Sequence, residues 1–385
     1  MNISKTKLFH DAILKVIKKK KAELHEPFFD NTESKLLKKS IKNKFISSKG
    51  TFVNQFEKKI KKITKSKYVT LTSSGTAALH LALLSLGVKS NHEVLMPTLN
   101  YIASANTTLY CGAIPHFIDS DESNLAIDPI KLEKYLNKIC LVKNNLCTNK
   151  NTGNIIKVLI CFHPYGYSAE IEKIKKICKT FKIKLIEDAA ESIGSFFKGK
   201  HLGTFGDIGI ISFNGNKTIT TGSGGAIITD TNYLNKFCKI SSSIAKKPHS
   251  YEFDYYRLGY NYRMANLNAA VGVAQIDKLN SIIKKKKNLY LRYLKVFKKI
   301  DFAKIYQPSK NSKSNYWLIT AILNHSDKKF KNKILDYCNK KEIRIRPSFK
   351  LLHTVSYLNK FPKMNLSNSI KLNEKIISLP SSSFL

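Results

Sequence analysis

The stretch Asp207-Ile-Gly-Ile-Ile-Ser-Phe-Asn-Gly-Asn-Lys217-Thr-Ile-Thr-Thr-Gly-Ser-Gly-Gly-Ala-Ile-Ile-Thr-Asp230 decides how the rest of the chain is read. Two short apolar runs, Ile208 to Phe213 and Ala226 to Thr229, predict buried strands, because β-branched residues dominate them and Gly and Asn punctuate both ends. A single lysine stands between them in a Gly/Asn/Thr loop. A lysine held on a tight loop between buried strands can be shielded from water, which lowers its pKa and frees the amine to attack an aldehyde or ketone. In a lysine-rich chain the default for any one lysine is a solvated surface position. The neighbourhood of Lys217 argues otherwise: Ser212 precedes it, and Gly222, Gly224 and Gly225 follow with backbone donors suited to an anion.

Working outward, the segments from Tyr68 alternate between strand and helix patterns, which predicts an α/β sheet covered by helices. Strands are expected at Tyr68 to Leu71, Val94 to Met96, Ile114 to Ile118, Val158 to Phe162 and Ile183 to Ile186. Helices are expected at Val53 to Ile63, at about Ile102 to Tyr110, and from Ile171 to Phe181 with Ile171, Ile174, Cys178 and Phe181 on one face. Lys143 to Asn154 is rich in Asn and Lys and predicts a surface loop. Met1 to about Glu23 has a basic amphipathic helical pattern. Past Asp230 the alternation weakens, with a Tyr-rich segment, a long helix from about Ala265 to Lys299, and a mixed tail. The expected organisation is an N-terminal helical extension over 1–24, a large α/β domain over 25–247 and a small α+β domain over 248–385.

Composition narrows the function classes. A chain of 385 residues with 43% apolar content supports more than one core. No run reaches the roughly 18 apolar residues of a membrane span, and the N-terminus has no signal-peptide core, so a cytoplasmic protein is expected. Seven scattered cysteines without a C-x-x-C pair indicate neither a disulfide framework nor a metal site. The net charge of +39 invites a nucleic-acid reading. Only Arg257, Arg263, Arg292, Arg344 and Arg346 are arginines, leaving 61 lysines among the 66 basic residues, spread along the whole chain. Phosphate recognition usually makes prominent use of the arginine fork, so nucleic-acid binding is the distant alternative. A positive field of this size does attract an anionic small substrate.

Four features fall at the carboxyl ends of predicted strands, where open α/β sheets place ligands. Ser73-Ser-Gly75-Thr76-Ala-Ala opens a helix and suits a phosphate. Asp188 ends a buried strand and needs a cationic partner, such as a protonated heteroaromatic nitrogen, unless it only caps a helix. Tyr101 could stack on a planar group, and Lys217 with Ser212 completes the set. A phosphate cradle, a stacking ring, a carboxylate and a nucleophilic lysine are what pyridoxal 5'-phosphate requires.

The ordered motifs S-S-G-T-A-A-L, E-D-A-A-E-S, G-D-I-G-I-I-S-F-N-G-N-K-T-I-T-T-G and G-Y-N-Y-R-M-A-N-L-N-A-A-V-G resemble the DegT/DnrJ/EryC1/StrS family of sugar aminotransferases. The resemblance implies the fold type I architecture of pyridoxal-phosphate enzymes, a large mixed, mostly parallel sheet domain with a smaller α+β C-terminal domain. It implies that Lys217 carries the cofactor, that Asp188 pairs with its pyridine nitrogen and that Glu191 lies near its phenolic oxygen. Gly75, Thr76 and Ser212 would bind the phosphate, and Tyr101 would stack on the ring. Asn261 would reach the phosphate of a neighbouring subunit, implying a homodimer with shared sites. Ser223 stands where the family commonly has Glu. His25-Glu-Pro-Phe-Phe, Phe45-Ile-Ser-Ser-Lys-Gly, Asn214-Gly-Asn-Lys and Arg346-Pro-Ser-Phe with His353 are similar to the legionaminic acid and bacillosamine branch. That branch implies transfer of the L-glutamate amino group to C4 of a UDP-linked 4-keto-6-deoxy N-acetylhexosamine, for surface glycan synthesis. A GDP-linked 4-keto-6-deoxy sugar, as in perosamine synthesis, is the alternative substrate. Arg263, Arg346 and His353 are candidates for carboxylate or diphosphate contacts. His163 is expected to be a hydrogen-bonded core residue.

Overall fold

The computed structural model describes residues 2–385. Its centre is a seven-stranded sheet built from β1 (Tyr68–Thr72), β2 (Glu93–Pro97), β3 (Ile114–Ile118), β4 (Ile156–Phe162), β5 (Lys184–Asp188), β6 (Ile208–Ser212) and β7 (Gly225–Thr229), in the order β1-β7-β6-β5-β4-β2-β3. Only β7 runs against its neighbours, pairing antiparallel with β1 and β6; the other pairs are parallel. Central strands covered on both faces show near-continuous apolar runs instead of alternation, which is why Ile208 to Ile211 and Ala226 to Ile228 are buried throughout.

Among the described residues the α-helices are α1 (Asn2–Ile17), α2 (Asn31–Lys42), α3 (Thr51–Thr64), α4 (Gly75–Ser85), α5 (Ala103–Tyr110), α6 (Pro129–Ile139), α7 (Ile171–Thr180), α8 (Asn232–Ser241), α9 (Asn266–Phe297), α10 (Lys328–Lys340) and α11 (Ser367–Lys375). Leu132 and Leu136 of α6 with Ile171, Ile174 and Ile177 of α7 cover one face of the sheet. On the other face α4, apolar on nearly every side, lies under α5 and α8. It begins at Ser74, whose Oγ accepts the Ala77 N–H at 3.0 Å. Helix α9 has 32 residues, about 48 Å long at 1.5 Å per residue. Its first half packs with α3 against β1 and β7, and its second half enters a separate apolar cluster.

That cluster fills a four-stranded antiparallel sheet, β8 (Ala303–Ile305), β9 (Ile319–Leu323), β10 (Arg346–Pro347) and β11 (Ile376–Leu379), ordered β8-β9-β11-β10. Helix α1 joins it through Phe9 and Ile13, with the Phe9 ring edge-on to Phe297 at 5.3 Å. The helix expected to run to Glu23 stops at Ile17, because Lys18 takes a left-handed φ of 55° and breaks the ladder. Beyond it the backbone is extended: Ala22 bridges Ile343, and Ser381 N–H donates to Leu24 O at 2.8 Å. The extension is thereby tied to the segment leading into Arg346.

The expected surface loop from Lys143 to Asn154 is also different. Cys140–Lys143 and Leu146–Asn149 form a hairpin turned by Asn144 and Asn145 at φ 52° and 59°. Two successive positive-φ asparagines make a turn whose twist suits a hairpin, and Asn149 donates to the buried Glu93 carboxylate. All seven cysteines are free thiols. Among the described residues no helix is long and apolar enough to cross a membrane.

Candidate active site

The carboxyl ends of β1, β5 and β6 and the amino end of β7 meet at one edge of the sheet, in register Thr72↔Gly225, Ser212↔Gly225 and Ile210↔Asp188. A cavity of about 390 Å³ opens there. The structure brings Gly75, Thr76, Tyr101, Asp188, Glu191, Ser212, Lys217 and Arg346 to its wall. Phe162, Trp317 and Phe349 add aromatic rings to the lining.

The loop carrying Lys217 closes on itself. Phe213 N–H donates to Gly224 O and Thr221 N–H to Phe213 O, both at 2.9 Å, while Lys217 N–H donates to Asn214 O at 3.0 Å. Gly222 takes φ 79°, a conformation available to glycine at little cost. The amine thus projects into the cavity from a fixed turn. Its Nζ lies 3.2 Å from Glu191 Oε1 and 4.0 Å from the centroid of the Trp317 ring. Glu191 Oε2 accepts the N–H of Tyr165 at 2.7 Å, so both carboxylate oxygens are engaged.

Burial pushes the Glu191 carboxyl up to about 7, against the opposing pull of Lys217 and the Tyr165 N–H. Burial also raises the Asp188 carboxyl, against the Ala190 N–H and Lys217. A carboxyl raised in the folded state binds its proton more tightly there than in the unfolded chain. In the cofactor-free protein, the Glu191 term should therefore lower stability as pH rises from about 4.5 to 7, by roughly 3 kcal/mol in total. Urea unfolding across this interval should show a shallower fall in Glu191→Gln than in the wild type.

The N-terminus of α4 and Ser212 converge closely. A Cβ placed on Gly75 would lie 2.9 Å from Ser212 Cβ and 3.1 Å from its Oγ, and one on Gly225 would lie 2.5 Å from Ser74 O. Only hydrogen at these two positions leaves room for the helix start against the strand ends, and Gly75 and Thr76, the first residues of α4, line the cavity, a place where helix N–H groups suit an anion. Ser223 donates from Oγ to Ser73 O at 2.7 Å, closing the rim.

Three candidate residues stand outside this wall. Arg263 donates to Ser48 O at 2.8 Å and borders a different depression with Glu57 and Lys239. His353 pairs through Nδ1 with Thr98 Oγ1 at 2.7 Å. Asn261 is exposed and bridges Ser243. His163 is buried with both nitrogens partnered, by Glu187 at 3.0 Å and by the Ala169 N–H at 3.2 Å. Trp317, Phe162 and Phe349 are not among the residues the sequence assigns to the site; Phe349 lies in the Arg346-Pro-Ser-Phe motif, Phe162 ends an expected strand, and Trp317 is the chain's single tryptophan.

Pyridoxal phosphate fits this wall. The close approach at Gly75 would suit a phosphate, the buried Asp188 has one backbone donor, Ala190 N–H at 3.2 Å, and Lys217 would supply the amine. A lysine-bearing turn and a buried aspartate at the strand ends of a mostly parallel sheet define an aminotransferase of fold type I. The solved structure of the aminotransferase TlmJ from Streptoalloteichus hindustanus has the same fold, with a TM-score of 0.86 over 95% of this chain and 94% of that one, at 20% identity. The chain belongs to the DegT/DnrJ/EryC1/StrS aminotransferase family, which matches residues 27–385. It is a pyridoxal-phosphate-dependent sugar aminotransferase. Among its relatives, GDP-perosamine synthase from Escherichia coli O157:H7 is 34% identical over 93% of this chain and 92% of its own length. The UDP-4-amino-4,6-dideoxy-N-acetyl-beta-L-altrosamine transaminase of Campylobacter jejuni strain 81-176 is 34% identical over 70% and 68%.

Proposed function

We propose that this enzyme moves the amino group of L-glutamate to C4 of a UDP-linked 4-keto-6-deoxy N-acetylhexosamine, in the cytoplasm, for a bacterial surface glycan. The observation that carries amino transfer is the Lys217 amine held between Glu191 and Trp317 in the same cavity as Asp188. When bound, pyridoxal phosphate supplies a carbonyl for amines to join and a ring that takes up the electron pair left by a departing α-proton. Gly75, Thr76 and Ser212 would hold its phosphate, and Tyr101, 54% exposed, would offer a ring face. Asp188 would favour a proton on the ring nitrogen. Lys217 would tie the cofactor to the chain and, once freed, would hold and move a proton at the amino acid's α-carbon, with Glu191 Oε1 beside its amine. Arg346 grips a carboxylate or diphosphate at the cavity wall.

The UDP-linked reading is supported by the motifs around His25, Phe45, Asn214 and Arg346, and by similarity to the Campylobacter transaminase. Similarity over 93% of the chain to GDP-perosamine synthase favours a second reading, a GDP-linked 4-keto-6-deoxyhexose. Purified enzyme given L-glutamate and each ketosugar in turn should aminate the UDP sugar with the higher kcat/KM; a reversed order selects the GDP reading.

The enzyme acts as a homodimer in which Asn261 of each subunit reaches the other's cofactor phosphate. Tyr251 and Leu258 are each 78% exposed and Phe253 73%, in the segment leading to Asn261. Apolar side chains exposed together in this way suit burial against a second copy. Light scattering behind a sizing column should give twice the 43.7 kDa chain mass; a monomer at working concentration would remove the shared-site reading.

A further inference from the structure

The two groups beside the Lys217 amine come from different parts of the chain. Glu191 follows β5, and Trp317 precedes β9. Asn315 joins them. Its side chain is fully buried and outside the cavity wall. Asn315 Oδ1 accepts the Trp317 N–H at 2.9 Å, and Nδ2 donates to the carbonyls of Glu191 and Ile193, both at 2.9 Å. Its own N–H donates to Ser195 Oγ, also at 2.9 Å. These partners fix which end of the amide is oxygen.

The other sides of Trp317 are held as well. The indole Nε1–H donates to Asn216 O at 2.7 Å, next to Lys217 itself. Lys286, fully buried in α9, donates from Nζ to Trp317 O at 3.2 Å and to Ser381 O. Two hydrogen bonds therefore hold the Trp317 backbone, at its N–H and at its carbonyl, and a third holds the indole through Nε1. One of them, through Asn315, measures the Trp317 backbone against the backbone of Glu191.

We propose that Asn315 is a positioning residue for amino transfer: its one amide ties the Glu191 backbone to the Trp317 backbone, and so sets where the Glu191 carboxylate and the Trp317 ring stand beside the Lys217 amine. The inference rests on the aminotransferase reading of this site. A lysine that is released from the cofactor and must then carry a proton is useful only if it stays in place, and about 1 Å of drift costs on the order of a hundredfold in rate. The carboxylate and the π face both attract the ammonium, but only while both remain within reach. A serine at 315 cannot span the three partners of the amide, and an aspartate would present oxygen to two carbonyls.

Because Trp317 is the only tryptophan, intrinsic fluorescence reports on its surroundings without cofactor or turnover. The experiment measures emission and acrylamide quenching of the cofactor-free protein, then kcat and KM of the loaded enzyme, for wild type, Asn315→Ser and Asn315→Asp. The expected result is red-shifted emission and stronger quenching in both variants, with kcat down about a hundredfold and KM for the sugar within about twofold. A folded variant with unchanged emission, a loss of kcat without an emission change, or an effect on KM alone would each overturn the proposal. Failure of both variants to fold would assign Asn315 to stability alone and overturn it too. A wild type that takes up no pyridoxal phosphate would instead overturn the reading on which it rests, leaving the emission comparison intact.

Discussion

Lys217→Ala is expected to abolish turnover, with kcat falling by on the order of 10⁴-fold or more. Among the described residues Lys217 is the one lysine on the cavity wall, so no lysine beside it stands ready to replace it. In the proposed mechanism it would serve two needs at once, the covalent tie to the cofactor and the movable proton, and removing a group that acts in successive steps costs more than either step alone. The geometry also predicts what survives. Gly75, Ser212 and Asp188 are positioned by the strand ends and by α4, and none depends on Lys217 for its hydrogen bonds. The variant should therefore fold and still take up cofactor non-covalently. Absorption spectra before and after L-glutamate separate the cases. Wild type should show a visible band that L-glutamate converts to a shorter wavelength, and the variant should lack that band. Appreciable turnover by Lys217→Ala would refute the assigned role.

The parts of this molecule that were legible in its sequence are those governed by near neighbours along the chain. Buried β-branched runs, the Ser74 cap before α4 and the lysine turn between β6 and β7 follow from local pattern, and their order along the chain indicated a mostly parallel sheet. Gly75 and Asp188 could be placed in the site because strand ends collect at one edge of such a sheet. Contacts made by folding distant segments together were not legible. Trp317 reaches the Lys217 amine, and Asn315 reaches Glu191, only because the segment before β9 packs back on the β5 end; nothing in Asn-Tyr-Trp itself announces this. Tyr165 adopts φ 58° and turns its N–H onto Glu191, a strained arrangement that the surrounding packing must enforce. Arg263 and His353 were plausible by residue type alone. Partners from afar, Ser48 and Thr98, already occupy them.

The lysine variant tests the covalent chemistry; Asp188→Asn tests the electrostatics, and the two should fail differently. Asparagine has nearly the size and shape of aspartate and can keep the Ala190 N–H as a partner through its oxygen. It cannot hold a proton on a pyridine nitrogen by charge, and that charge is what lets the ring accept electrons from the α-carbon. Removing one preorganised electrostatic partner in a water-poor site typically costs 10²–10³ in kcat, so a loss on the order of a thousandfold is expected. Stability should move the other way. The Asp188 carboxyl is raised by burial, so in the cofactor-free protein its ionisation is less favourable in the folded than in the unfolded chain. Stability is then lost as pH rises past the unfolded carboxyl's range, and a neutral asparagine escapes that loss. The cofactor-free variant should therefore unfold at a urea concentration equal to or higher than wild type at pH 7, while the loaded enzyme is crippled. A carboxylate kept against the interest of the empty fold is what the proposed pairing with a pyridine nitrogen would require. If Asp188→Asn lost stability and kept its rate, the residue would be a helix cap, and the pyridine partner would have to be sought elsewhere on the cavity wall.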